Sequence, residues 1–301
     1  MLRPDPLTVR RRAAAVAAAF CLCAALSAPA TAAAENSPTK TSEDPSSPPA
    51  SDVSDDTLAR LILNASSMPP EASAHVEVYG DDLDAVATLV SGADGEVTGR
   101  VDGYFVEAVI PVQRLAEVYR SELTAEMYPL TRSAPAQAAF DIPTTSGALA
   151  SVVRDTIKLA PWHEAGHRGE GQRIGIIDHF GSAELDRAIA ANRLPTPAGT
   201  FCREAGRACV LPTANGGVHG VAVAEIIHAI VPDAELYFAT VQSQSDTQEA
   251  VEWFAANGVT VINRSVLTEL DGPGDGTGPM ASISEAAVDR GMVWVLSLIH
   301  I

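Results

Sequence analysis

Two side chains sit where acid–base chemistry is commonly done. Gly169 to Ser182 reads GEGQRIGIIDHFGS: a glycine-rich turn, an apolar run of strand length, then an acid, Asp178, at its carboxyl end. Open α/β sheets keep their sites at that end of their strands. Gly216 to Tyr237 reads GGVHGVAVAEIIHAIVPDAELY, in which His219 opens an apolar helical stretch through Val223, Ile226, Ile227 and Ile230. The positive end of a helix dipole disfavours imidazolium, so such a histidine is expected to stay neutral and act as a general base near pH 7. Each residue also has a plain structural reading, as a turn-forming aspartate after a buried strand and as a turn histidine. A third segment, Asn257 to Ser265 (NGVTVINRS), is a glycine-terminated helix feeding a buried strand with polar residues at its far end. Its chemistry assigns it no catalytic role of its own.

A rival centre is written at His163-Glu164-Ala165-Gly166-His167, which fits H-E-x-x-H, two zinc-ligand histidines one helical turn apart with a glutamate base. Pro161 just before it, Gly166 inside it and Gly169 just after it argue against the long packed helix that such a site needs. No metal and no other cofactor is therefore expected. His228, one helical turn from Glu225, reads as a surface or core polar residue. Asp271 to Gly278 (DGPGDGTG) has two carboxylates and no EF-hand pattern, so it reads as a mobile acidic loop rather than a calcium site.

The elements that must carry Asp178 and His219 alternate in type. Apolar strands are expected at Arg173 to Ile177, Glu235 to Thr240, Val259 to Asn263 and Met292 to Val295, with helices between them, the pattern of a parallel α/β sheet. Ser245 with Gln248 reads as a capping box, and Gly258 and Gly291 as helix stops. Ahead of this lies a small α+β domain over 71–132. It contains a strand at His75 to Tyr79, a helix capped by Asp81 with Leu83, Val86 and Val90 on one face, and strands at Glu96 to Val101 and Tyr104 to Ile110. A second helix after Pro111 places Val112, Leu115, Ala116 and Tyr119 at helical spacing. Residues 35–70 read as a disordered linker, since their early part is Ser, Pro, Thr, Asp and Glu with little to bury, and 133–160 as a second linker.

At the amino terminus, Arg3 and Arg10 to Arg12 precede an apolar run from Ala13 to Ala28 and an alanine-rich end, so 1–34 reads as a secretory signal peptide and the protein as secreted. The run is too short for a spanning helix, and no membrane association is expected after cleavage. Cys21 and Cys23 would leave with that segment, while Cys202 and Cys209 remain and are expected to form a disulfide in an oxidising compartment. With 20 Lys+Arg against 38 Asp+Glu, a formal charge of -18, the chain lacks the basic footprint of a nucleic-acid binder.

In their order and spacing, the segments around Asp178, His219 and Asn263 to Ser265 resemble the Asp, His and substrate-strand motifs of the subtilisin-like serine proteases, the subtilases, over about Trp162 to Val295. The resemblance implies a partial subtilisin-like parallel sheet with flanking helices over 161–295, preceded by an inhibitory propeptide in the α+β domain. It implies that Asp178 holds the imidazole of His219, that His219 deprotonates a serine, and that Ser265 helps bind the substrate backbone. Its partners would be a peptide or protein substrate and its own propeptide. The family also offers structural calcium, which nothing in this sequence supports. His179-Phe180-Gly181 after the Asp, Val221, Glu225 and Arg264 depart from the family's usual residues.

Neither the family's Ser-Ala-Gly-Asn nor its Gly-Thr-Ser motif is present, so the nucleophile is absent from this chain. Leu296 to Ile301 (LSLIHI) matches a common sequencing-adapter sequence read in frame. The expectation is an exported serine endopeptidase truncated before its serine and inactive as given. The alternatives are a subtilase-fold binding protein without catalysis, and a zinc metalloprotease through His163, Glu164 and His167.

Overall fold

The computed structural model describes residues 52–130, 134–135, 152–204, 206–211, 217–268, 271–272 and 275–296. The expected signal peptide, residues 35–51 of the expected first linker, 131–132 of the α+β domain, 133 and 136–151 of the second linker, and 297–301 lie outside the described residues. The chain divides after Leu130 into two compact units.

The first unit opens on helix α1 (Asp52–Asn64), inside the stretch expected to be a disordered linker. Leu58, Leu61 and Ile62 recur at helical spacing among polar residues, and Leu58 is buried in the unit's core. Three apolar positions on one face are enough to hold the helix despite the polar composition around them. Strand β1 (Ser73–Tyr79), helix α2 (Leu83–Gly92), strands β2 (Glu96–Val101) and β3 (Phe105–Pro111), helix α3 (Leu115–Tyr119) and strand β4 (Glu126–Pro129) follow. The strands pair antiparallel in the order β2-β3-β1-β4.

Alternation along β1 turns Ala74, Val76 and Val78 toward a core shared with Val86, Val90, Ile110, Leu115 and Val118. The cap of α2 is Asp82 rather than Asp81. Asp82 has the extended backbone of a cap, and its carboxylate accepts from the Asp84 and Ala85 amides at 3.1 and 3.0 Å. After Pro111 the chain makes a 3-10 turn over Val112–Arg114 before α3, which rotates Tyr119 out to solvent.

The other face of β1 places Glu77 directly opposite Glu107 of β3. Burial, and to a smaller degree the neighbouring Glu107, raises the Glu77 pKa to about 7, while the hydroxyl of Tyr79 at 3.1 Å works the other way. A carboxyl whose folded pKa is raised contributes stability that is full below its unfolded pKa and is lost as pH rises through the folded value. The protein is therefore expected to lose roughly 3 kcal/mol between acid and mildly alkaline pH through this one group. Thermal unfolding across that range should show the loss in the native sequence and not in Glu77→Gln. An equal slope in both would remove Glu77 as its source.

The second unit is a mixed α/β structure around a six-stranded sheet. Its elements are β5 (Ala134–Pro135), a helical turn at 152–156, α4 (Ala160–Glu164), β6 (Arg173–Ile177), α5 (Ser182–Ala190), β7 (Gly199–Glu204) and β8 (Arg207–Ala208). Then come α6 (His219–Ile230), β9 (Glu235–Thr240), α7 (Gln244–Ala256), β10 (Val261–Arg264), β11 (Val266–Leu267), α8 (Pro279–Asp289) and β12 (Val293–Leu296). The sheet order is β12-β10-β6-β9-β7-β8. The first five strands are parallel, and β8 folds back on β7 as a hairpin closed by the Cys202–Cys209 disulfide. Part of the second expected linker is built into this unit: Leu159 is buried in its core, with Val153 and Ile157 packed against it.

Strands β6 and β9 have the bounds expected for them, Arg173 to Ile177 and Glu235 to Thr240. Strands β10 and β12 start later than their sequences suggest. The residues after Gly258 and Gly291 first bond back to the preceding helices, Val259 to the Phe254 carbonyl and Met292 to the Ala287 carbonyl. Helix α7 is capped by Ser243 and Asp246, not by Ser245 and Gln248. Ser243 is extended, its hydroxyl accepts from the Asp246 amide at 3.1 Å, and the Asp246 carboxylate returns to the Ser243 amide at 3.2 Å. Among the described residues no helix is long and apolar enough to cross a membrane.

Candidate active site

Strand β6 lies between β9 and β10, and Ile174, Ile176 and Ile177 are fully buried. Continuous apolar residues are what a parallel strand covered on both faces requires. The strand delivers Asp178 to its carboxyl end, where the Asp178 amide donates to the Ala239 carbonyl at 3.0 Å and the Asp178 carbonyl accepts the Thr240 hydroxyl at 3.0 Å. The carboxylate, with no exposed surface, accepts the His179 amide at 2.7 Å.

His219 is the first residue of α6, and its Nδ1 lies 3.0 and 2.9 Å from the two carboxylate oxygens of Asp178. Two backbone bonds fasten the helix start to the aspartate turn: Gly220 donates to the His179 carbonyl at 3.2 Å and Gly181 to the Gly217 carbonyl at 3.0 Å. The approach is close enough to require glycine. A Cβ on Gly220 would stand 2.8 Å from the His179 carbonyl oxygen and 3.0 Å from the Asp178 Cβ. Beneath the turn, Phe180 stacks on Phe238 of β9 with ring centroids 4.4 Å apart.

Burial is the largest influence on both groups of the couple. It raises the Asp178 pKa against the opposing pull of His219, and it works to lower that of His219 but is outweighed by the hydrogen bond and charge of Asp178. The couple thus holds its proton more tightly than its parts would alone. The helix dipole, expected to keep His219 neutral near pH 7, is not the deciding influence: the carboxylate 2.9 Å away is nearer and carries full charge. With Nδ1 engaged by Asp178, Nε2 is the nitrogen left for proton transfer. The geometry can hold one imidazole tautomer and stabilise the imidazolium that forms when Nε2 takes a proton.

The third segment comes beside this couple through the sheet. Ser265 donates its amide to the carbonyl of Ile177, the residue before Asp178, at 3.1 Å, and its hydroxyl accepts from Asn263 Nδ2 at 2.8 Å. The Ser265 side chain is buried. Just beyond it, β11 pairs antiparallel with β5, Val266 opposite Pro135 and Leu267 opposite Ala134.

The H-E-x-x-H residues do not form a centre. Helix α4 stops at Glu164, so His163 and His167 share no helical face, and His163 Nε2 lies 2.9 Å from the Ile230 carbonyl. His167 packs its ring near Trp162, with centroids 5.6 Å apart. Among the described residues no group of three or more His, Cys, Asp or Glu is placed to hold a metal ion. In the acidic segment after β11, Asp271 pairs with Arg264, and Asp275 is taken up by the Thr277 amide and hydroxyl. Glu225 is an ion-pair partner of Arg193. His228 is half-buried, and burial lowers its pKa.

Sequence reasoning missed Thr240, which braces the Asp178 carbonyl, and the β5–β11 pairing. Thr240 was findable as the last residue of the strand expected beside the one bearing Asp178. The β5–β11 pair was not, because it joins two dipeptides far apart in the chain.

No family model and no curated protein matches the chain. Two crystal structures of the epidermin leader peptide processing serine protease of Staphylococcus aureus, one of them a point mutant, are similar to it. They show TM-scores of 0.46 and 0.44 at 14% and 11% identity. Each match covers 75% of this chain and 60% of the neighbour's, so the chain spans less than two thirds of the neighbours' length. A likeness at this level assigns neither activity nor substrate.

Proposed function

We propose that this chain is the amino-terminal part of an exported subtilisin-like serine endopeptidase, in which Asp178 and His219 handle the proton and charge of an acyl-transfer reaction. The observation that carries the reading is the buried Asp178 carboxylate bonded to Nδ1 of a histidine at a helix start. In this scheme Nε2 of His219 takes the proton from a serine hydroxyl as it attacks a peptide carbonyl, Asp178 stabilises the imidazolium, and the same proton then passes to the leaving amine. The serine would be supplied by the gene's continuation past Val295.

The pairing of β5 with β11 supports the peptide part of the reading. An extended segment lies antiparallel on the strand that follows Ser265, as a substrate backbone would in β-strand addition. The pairing segment is the chain's own, from within the second unit. Export is supported by the basic, apolar and alanine-rich amino terminus and by the Cys202–Cys209 disulfide.

Reading the source DNA past Val295 is the first test. A Gly-Thr-Ser in frame supports the proposal, and its absence leaves a binding protein with this fold. The extended product should then hydrolyse peptides, lose activity to a serine-directed phosphonate and keep it in a zinc chelator. Inhibition by the chelator alone would overturn the assignment.

A further inference from the structure

Arg264 stands outside the Asp178–His219 couple and ends β10 as the largest fully buried side chain among the described residues. Its Nη1 and Nη2 donate to the two carboxylate oxygens of Asp271 at 2.9 and 3.0 Å, and Nη2 also reaches the Thr268 hydroxyl at 3.2 Å. Asp271 ties itself to the same place: its carboxylate accepts the Thr268 amide at 3.3 Å, and its amide donates to the Thr268 carbonyl at 3.1 Å. The Nε of Arg264 has no partner among the described residues.

Stability alone does not call for an ion pair here. Apolar side chains of similar volume commonly match or better a buried pair, and among the described residues this guanidinium leaves one donor without a partner. What a planar fork adds is position, since it fixes a carboxylate in plane and direction as no apolar contact does. The segment it fixes is β11. At one end Ser265 is bonded to Ile177 of β6, and at the other Thr268 is held by Arg264 and Asp271.

Between those ties, Val266 is buried and Leu267 half-buried, and the strand meets β5. The pairing is two residues long, with Pro135, which has no amide to donate, opposite Val266 and Ala134 opposite Leu267. An edge only two residues long binds an extended peptide well only if its own backbone is already ordered.

We infer that the Arg264–Asp271 pair is a clamp that holds the β11 edge ready to receive an extended peptide strand. This rests on the reading of β11 as the peptide-binding strand. Arg264 is a positioning residue, acting through β11 rather than by touching the peptide.

The test compares Arg264→Met, which conserves volume, Arg264→Lys, which conserves charge, and Asp271→Asn in the full chain, by thermal unfolding and residue-resolved amide exchange. In Arg264→Met the Leu267 amide should exchange at least about tenfold faster while Ile176 in β6 and Val76 in β1 keep their protection. Arg264→Lys should recover part of the Leu267 protection, and Asp271→Asn should resemble Arg264→Met. Unchanged Leu267 exchange in Arg264→Met, or loss only in step with Ile176, would overturn the clamp. Should Arg264→Met not fold, Arg264→Lys against Asp271→Asn makes the same comparison. In the extended gene product, Arg264→Met should raise KM for a peptide substrate about tenfold with kcat nearly unchanged. An extended product that cleaves no peptide, with the local exchange effect intact, would instead sink the protease reading from which the clamp takes its purpose.

Discussion

Replacing Asp178 with asparagine should lower kcat of the extended gene product by about 10⁴-fold with little change in KM, the scale on which Ser-His-Asp triads respond to that change. The carboxylate is fully buried and accepts His219 Nδ1 through both oxygens, so its charge is felt at close range with no water to screen it. An amide there keeps the volume and loses the charge, and it no longer fixes which ring nitrogen bears the proton. A second effect needs no serine. The hydrogen bond and charge of Asp178 now hold the His219 pKa above the ordinary imidazole value against burial. Without them only burial remains, so the midpoint of His219 should fall. NMR titration of the ring in the 301-residue chain measures this directly. A midpoint that stays put or rises in Asp178→Asn would show that the carboxylate is not what sets the imidazole's charge.

Gly220→Ala should cost about 1–3 kcal/mol, even though alanine is the better helix former, and should lower kcat by about 10²-fold. The new methyl would meet the His179 carbonyl oxygen at 2.8 Å, the Asp178 Cβ at 3.0 Å and the Phe180 ring at 3.1 Å. Two of these are main-chain or first-carbon atoms that cannot swing aside. The helix start must therefore back away from the aspartate turn, and His219 moves with it. Gly92→Ala is the matching control, because a Cβ there meets nothing within 4 Å. It should be neutral or slightly stabilising. Equal melting temperatures for Gly220→Ala and the native chain, with activity kept, would mean that the helix and the turn are not in the close contact described.

Strands β6 and β9 could be placed residue for residue because each is a short, mostly apolar run that opens on a charged residue, as a strand buried on both faces requires. The helix start at His219 was legible for the same kind of reason. So was the Cys202–Cys209 bond, since those are the cysteines that remain once the expected signal peptide is removed. Helix α1 was hidden because three apolar residues in a polar stretch carry no weight until a core exists for Leu58 to enter. The caps of α2 and α7 each differed from expectation because several Asp or Ser residues stand together at those helix starts. Backbone direction, not residue type, chose Asp82 and Ser243 among them.

For the opening pair, then, residue type and local pattern determined that Asp178 ends a buried strand and that His219 begins a helix. Those are short-range properties, set by apolar periodicity and chain punctuation. Tertiary structure alone decided that the two meet at 2.9 Å, that a glycine lets them, and that the imidazole's charge answers to the carboxylate rather than to the helix dipole. It also took apart the H-E-x-x-H motif, by ending α4 at Glu164, and gave the buried Arg264 its partner in Asp271. Distance and desolvation decide such matters, and both depend on which distant segments of chain the fold brings side by side.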